Sequence, residues 1–82
     1  IIMTISECVS SRIREILSDK NMTIYKLEQL SCVSHSTMKC LLNNVYDACN
    51  LRTLFQIIDA LDMSVVDFFD SDLFNLETID YL

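Results

Sequence analysis

The sequence predicts an all-α domain of five short helices, and three observations lead to that prediction. The chain has 82 residues, which suffice for one hydrophobic core but not for two. It contains no glycine and no proline, the residues that usually mark hairpins and sharp turns. Hydrophobic residues make up 51% of the chain, and through most of it they recur at helical spacing.

Helix 1 is predicted to begin after Thr4, because Thr4 and Glu7 have the spacing of a capping box. Its inward stripe comprises Ile5, Val9, Ile13, Ile16 and Leu17. We expect the helix to end near Asp19 or Lys20. Asn21 then closes it, since asparagine tolerates the left-handed backbone conformation that ends many helices.

Helices 2, 3 and 4 each follow a residue that can cap them, namely Thr23, Ser34 and Asn50. We expect helix 3 to end at Asn43 and Asn44. The predicted inward residues are Leu27 and Leu30 in helix 2, Met38, Leu41 and Leu42 in helix 3, and Leu51, Leu54, Phe55, Ile58 and Leu61 in helix 4.

A short helix 5 is predicted after Ser64, with Val66 and Phe69 inward, because Ser64 and Asp67 form a second capping box. The predicted domain covers residues 1–74, and an acidic and apolar tail covers residues 75–82. The tail, together with Phe68 or Phe74, is expected either to form a dimer surface or to pack over helices 1 and 5.

The net charge of −6 is unevenly distributed. Residues 1–58 hold five acids and six bases, whereas residues 59–82 hold seven acids and no base. The stretch from Ser31 to Tyr46 has no acid and one base, Lys39. A polyanionic partner is therefore compatible with the total charge, because most of the acid lies in the last third of the chain.

Other classes of protein are less consistent with the sequence. No run of about 18 apolar residues predicts a membrane span, and no secretion signal is evident, so we expect a cytoplasmic protein. No paired carboxylates, phosphate loop or activated nucleophile predict an enzyme or a cofactor. A zinc site is an alternative, but its ligands would have an unusual spacing, and ordinary reduced thiols are favoured. The zinc ligands would be Cys32, His35, Cys40 and Cys49.

Six segments occur in an order shared with a known family. They are Arg12-Ile-Arg-Glu-Ile, Met22-Thr-x-x-x-Leu27, Leu30-Ser-x-Val-Ser34-x-Ser-Thr-Met38, Asn43, Leu51-x-Thr-Leu54 and Ala60-Leu-Asp-Met-Ser64-x-x-Asp-Phe-Phe69. In them the chain resembles the Cro and phage-repressor type helix-turn-helix proteins, the XRE family, over roughly residues 5–74. The resemblance implies a compact, lambda-repressor-like DNA-binding domain whose helix-turn-helix consists of helices 2 and 3.

The chain departs from the family pattern at several positions. Asn21, Cys32, Asn44 and Asp62 stand where the family typically has glycine. Asparagine and aspartate tolerate a positive φ, whereas at Cys32 it should cost on the order of 1 kcal/mol. Glu28 stands where a small alanine is usual, so its carboxylate is expected to turn to water or to spread the two helices.

The resemblance also implies that helix 3, about residues 35–43, enters the major groove of double-stranded DNA. The candidate DNA-binding residues are Thr23, His35, Ser36, Thr37, Lys39, Cys40, Asn43 and Tyr46. Ser36, Thr37 and Lys39 can donate to phosphates or bases, and Cys40 can contact a thymine methyl group. His35 can equally be an ordinary surface histidine, and Tyr46 can simply cover the edge of the core.

Two functions remain open at this stage. One is a transcriptional regulator, expected to be a repressor, that binds a palindromic operator as a homodimer. The other is a protein-interaction module, such as an antitoxin or antirepressor, that keeps the fold but binds DNA weakly. Asp47 and Val45 favour the second function, because the family usually has basic residues after helix 3 that bind phosphates. Ile24 also favours it, because it stands where the family often has a glutamine.

Overall fold

The computed structural model describes residues 2–44 and 50–81, and this part of the chain is mostly helical. In chain order the elements are β1 (Met3–Thr4), α1 (Ile5–Lys20), α2 (Ile24–Ser31), α3 (His35–Leu42), α4 (Leu51–Ala60), α5 (Val65–Phe69) and β2 (Ile79–Asp80). The five predicted helices are confirmed. The strands β1 and β2 were not predicted from the sequence.

Every predicted N-cap is confirmed. At α1 the capping box is complete: Thr4 Oγ1 accepts from the Glu7 amide at 3.2 Å, and Glu7 Oε1 accepts from the Thr4 amide at 2.9 Å. Each later helix begins with a side-chain oxygen that accepts from the amide three residues on. The capping residues are Thr23, Ser34, Asn50 and Ser64.

The four positions at which the family has glycine all adopt a left-handed backbone. The φ angles are 53° at Asn21, 59° at Cys32, 56° at Asn44 and 57° at Asp62. These are the positive-φ residues of the part of the chain that the structure describes. These left-handed positions therefore form without glycine, and Cys32 is the residue least suited to one.

The core lies between α1, α2, α3 and α4, with α5 closing one side. It contains Val9, Ile13, Ile16, Leu17, Leu27, Val33, Met38, Leu41, Leu42, Leu54, Ile57, Ile58, Leu61 and Phe68. Its helical members include most of the predicted inward residues. Burial of this apolar surface is the main term that stabilises the fold.

Some inward assignments were wrong. The exposed fraction is 47% at Ile5, 49% at Leu30, 73% at Leu51 and 51% at Phe55. Each lies at the edge of its apolar stripe. In α2, for example, Leu27 and Ser31 share the buried face at i and i+4, so that Leu30 lies at its border.

Helix α5 faces the core with a different residue from the pair predicted. Phe68 is fully buried, whereas Val66 is 78% and Phe69 37% exposed. The Phe68 ring packs against Phe69 and Phe74, with ring centroids 5.1 and 6.0 Å away. Phe68 cannot belong to an exposed dimer surface, because its side chain is enclosed by the core.

The tail returns to the start of the chain. Strand β2 pairs in parallel with β1, Met3 opposite Ile79 and Thr4 opposite Asp80. The Met3 amide also donates to the Thr78 carbonyl at 3.2 Å. The domain boundary at residue 74 stays a prediction, but residues on both sides of it pack onto the domain.

Arg12 of α1 forms hydrogen bonds to the backbone of α5. Its Nε donates to the Phe68 carbonyl at 2.7 Å and its Nη2 to the Asp67 carbonyl at 2.8 Å, while Nη1 pairs with Glu15. A guanidinium at this position satisfies carbonyls that α5 leaves free and complements the negative end of its dipole. This use of Arg12 is therefore structural.

Candidate nucleic-acid interface

Helices α2 and α3 form a helix-turn-helix, and each buries a residue fully in the common core, Leu27 in α2 and Met38 in α3. In the turn, the left-handed Cys32 reverses the chain and the Val33 amide donates to Ser31 Oγ at 3.3 Å. Ser34 then caps α3. The turn is thus held by its own short-range hydrogen bonds, which fixes the direction in which α3 leaves it.

The outer face of α3 is polar and carries no acid. His35, Ser36, Thr37 and Lys39 are exposed, and Cys40 is half-buried. Met38, Leu41 and Leu42 face the core. The helix therefore presents most of its predicted contact residues on a surface that a nucleic acid can reach, while whether they bind DNA stays a prediction.

The hydroxyl groups at the start of α3 are already ordered. Ser34 Oγ accepts from the Thr37 amide at 3.3 Å and donates to Thr37 Oγ1 at 2.9 Å. Because the Thr37 oxygen is the acceptor in this pair, its own proton is free to be donated. The expected role of Thr37 as a donor to phosphate or base is compatible with its role in the cap.

Glu28 does not turn to water, which was the first of the two expectations for it. Its side chain is only 12% exposed, and its Oε2 lies 2.9 Å from Nδ1 of His35, whose side chain is 78% exposed. The carboxylate turns toward the start of α3, where the helix dipole favours negative charge. Glu28 and His35 are seven residues apart and lie on either side of the turn, so no local sequence pattern predicts that they pair.

The contact with Glu28 has a consequence for how His35 can recognise a ligand. In the tautomer that carries its proton on Nδ1, the ring donates to the carboxylate and Nε2 is an acceptor, whereas in the doubly protonated ring both nitrogens are donors. An acceptor at this position suits the amino group of adenine or cytosine, which the major groove displays. Glu28 in α2 thus influences which hydrogen bonds His35 can make on the surface of α3.

Helix α1 supports the end of α3 through two contacts that were not predicted. Arg14 Nη2 donates to the Leu42 carbonyl at 3.1 Å, and Ser10 Oγ donates to Asn44 Oδ1 at 3.1 Å. Arg14 is exposed, so it also adds a cation near the C-terminal end of α3. In the sequence, the only indication of the Arg14 contact was that Arg14 lies outside the apolar stripe of α1.

The other predicted contact residues lie at helix ends or beyond the described residues. Thr23 is exposed at the start of α2, and its Oγ1 accepts from the Lys26 amide at 3.1 Å. Asn43 is exposed at the end of α3. Tyr46 lies outside the described residues, as do Val45 and Asp47, so their effects on DNA binding stay predictions. Cys49, the fourth ligand of the alternative zinc site, lies there too.

The cysteines of the described segments are spread over separate environments. Cys8 is buried, and burial raises the pKa of its thiol, with a further contribution from Glu7. Cys32 is exposed and Cys40 half-buried. Within residues 2–44 and 50–81, no three cysteine, histidine or acidic side chains are grouped to hold a metal ion.

None of the described helices has the length and apolar character needed to cross a membrane. A family model described as a Cro/C1-type HTH DNA-binding domain matches residues 12–72 of the chain. The match spans α2, the turn and α3 as well as α4 and α5. Comparisons with curated proteins and with solved structures gave no match.

Proposed function

Because the chain belongs to the Cro/C1-type helix-turn-helix family of DNA-binding domains, we propose that it regulates transcription by inserting α3 into the major groove of an operator. The observation that carries this proposal is the exposed, acid-free outer face of α3, with His35, Ser36 and Lys39 on it. B-DNA's major groove admits one α-helix and displays a distinct pattern of donors and acceptors for each base pair.

Each residue of this face has a part in the proposal. Lys39 donates to a guanine or neutralises a phosphate, and Ser36 donates to a base edge or phosphate. Nε2 of His35 accepts from an exocyclic amino group. Thr23 and Asn43, at helix ends, are assigned to the phosphate backbone, where helix-terminal amides also bind anions.

The operator is proposed to be palindromic and bound by a homodimer, which places two α3 helices about 34 Å apart in successive turns of the groove. The expected sign is repression, because a bound dimer excludes polymerase without any further contact. Affinity should be modest, since few cations accompany Lys39 on the surface. Arg14 at the end of α3 partly compensates for the bases missing after it.

Selection from a pool of random duplex DNA at several salt concentrations tests this function. Wild type should enrich a palindromic motif and lose affinity steeply as salt rises. Lys39→Ala should weaken binding and flatten the salt dependence by about one unit of slope. Lys20→Ala, which removes one charge from the exposed end of α1, is the matched control and should bind as wild type does.

A second candidate function is binding to another protein, and the apolar surface of α2 favours it. Ile24, Tyr25 and Leu30 are 37%, 67% and 49% exposed. Contiguous apolar groups on a protein surface mark sites at which another protein binds. If no sequence is enriched even at low salt, this second function replaces the first.

A further inference from the structure

The outer face of α4 carries large apolar groups beside one cation and one anion. An open groove of about 500 Å³ is lined by Leu51, Arg52, Phe55, Gln56 and Asp59. Leu51 is 73% and Phe55 51% exposed. Over the described part of the chain, neither the Arg52 guanidinium nor the Asp59 carboxylate has an ion-pair partner.

The two charges are placed symmetrically about the apolar centre of this face. Arg52 and Asp59 are seven residues apart, which is two helical turns or about 10 Å along the axis, so they lie on one line of the helix surface. Phe55 and Gln56 lie midway between them. A second α4 packed antiparallel would bring Arg52 of each copy opposite Asp59 of the other.

We propose that this face is a self-association surface on which two copies of the chain pack α4 against α4 about a two-fold axis between Phe55 and Gln56. The pattern is self-complementary, as an isologous interface requires: the same patch meets itself, and both ion pairs form together. A different partner protein would have no need for opposite charges equidistant from the midpoint between Phe55 and Gln56. The charges set the orientation, and the apolar contacts of Phe55 and Leu51 supply the affinity.

The tail is the competing surface, and its charge argues against it. Leu76 and Tyr81 are 75% and 68% exposed, but residues 75–82 hold two acids, Glu77 and Asp80, and no base. Two such tails facing each other would place like charges together, which costs free energy. The α4 face has no such penalty.

The α4 interface is small. Five residues on each side are far fewer than the 20–30 of a standard interface. The dimer should therefore dissociate on dilution and be completed by joint binding to an operator. The inference rests on the proposed function in one respect: binding to a palindromic operator calls for a dimer, and the α4 face is the surface proposed to form it. Association of the two copies can be measured without DNA.

The test is sedimentation equilibrium of the full chain, without DNA, over a series of concentrations. Wild type should form a reversible dimer. Arg52→Asp places Asp opposite Asp59 twice, and Asp59→Arg places Arg opposite Arg52 twice, so each variant should associate at least tenfold more weakly. An equimolar mixture of the two should form a heterodimer, because both of its cross-pairs are then attractive.

Neither substitution should unfold α4. An acid in its first turn and a base in its last turn both complement the helix dipole, so these exchanges favour the helix. Circular dichroism and thermal unfolding of each variant check this. Lys20→Asp changes the net charge by the same amount as Arg52→Asp but lies at the end of α1; it should dimerise as wild type does.

Three results would overturn the inference. Wild type could stay monomeric at the highest soluble concentration, or both variants could dimerise normally, which would place the interface elsewhere. The mixed variants could fail to associate, which would exclude the antiparallel pairing. A failed DNA selection with intact dimerisation would instead remove the proposed function and leave the α4 interface standing.

Discussion

Helices α3 and α4 are built alike on the inside and differently on the outside. Each begins with a side-chain cap and buries apolar residues fully, Met38 in α3 and Ile57 in α4. Their outer faces diverge. The face of α3 exposes His35, Ser36 and Lys39, whereas that of α4 exposes Leu51 and Phe55. The inward residues give the fold its stability, so the outward residues are free to specify the ligand.

The largest expected effects come from substitutions that test whether α3 and α4 are anchored in the core to a similar extent. Met38→Ala and Ile57→Ala should each lower the free energy of unfolding by about 2–5 kcal/mol, because each leaves a cavity in the core. Chemical denaturation measures this. Ser36→Ala, on the outer face of α3, should change stability by less than about 0.5 kcal/mol. A large loss at Ile57 with none at Met38 would show that α3 is not anchored as described.

The caps give a second, smaller test of the same likeness. Ser34→Ala and Asn50→Ala each remove an acceptor for a helix-terminal amide, so each should cost about 0.5–2 kcal/mol. The replacements Ser34→Asp and Asn50→Asp retain an acceptor and should recover most of the loss. If the aspartate variants were as unstable as the alanine variants, the capping hydrogen bonds would not be the cause.

Cap chemistry also explains how much could be predicted from the sequence. A Ser, Thr or Asn followed by helical periodicity acts within four residues, so every helix start was predicted correctly. The positive-φ positions were also predicted, from the resemblance to the family. The burial of Phe68 rather than Val66 could not be, because a helix of five residues is too short for periodicity to define its inner face.

Long-range pairings were the other part that could not be predicted. The contact of Glu28 with His35 depends on how α2 and α3 pack, and the pairing of β1 with β2 joins the two ends of the described chain. Two-residue strands have no sequence pattern of their own. For the candidate interface, sequence predicted the exposed side chains of α3 but not the support from Ser10 and Arg14.

The turns that flank the two helices provide the test with the smallest expected effect. Cys32, before α3, and Asp62, after α4, both have a positive φ. Cys32→Gly should raise the stability by up to about 1 kcal/mol, since glycine removes strain that cysteine carries there. Asp62→Gly should gain less, because aspartate tolerates this conformation. Parallel thermal melts compare the two, and an equal gain would mean that the side chain at position 32 is not strained.

The pairing of β1 with β2 has a consequence for the order in which the molecule assembles. Met3 and Ile79 lie side by side, so this contact closes a loop that contains nearly all the described residues. The entropic cost of closing this loop grows with its length, and two pairs of residues in a sheet contribute little stabilising free energy. The helices must therefore collapse first and bring the ends together, and the strands form last. In the finished protein the same pair should open before any helix does, which makes the Met3 amide an early site of hydrogen exchange.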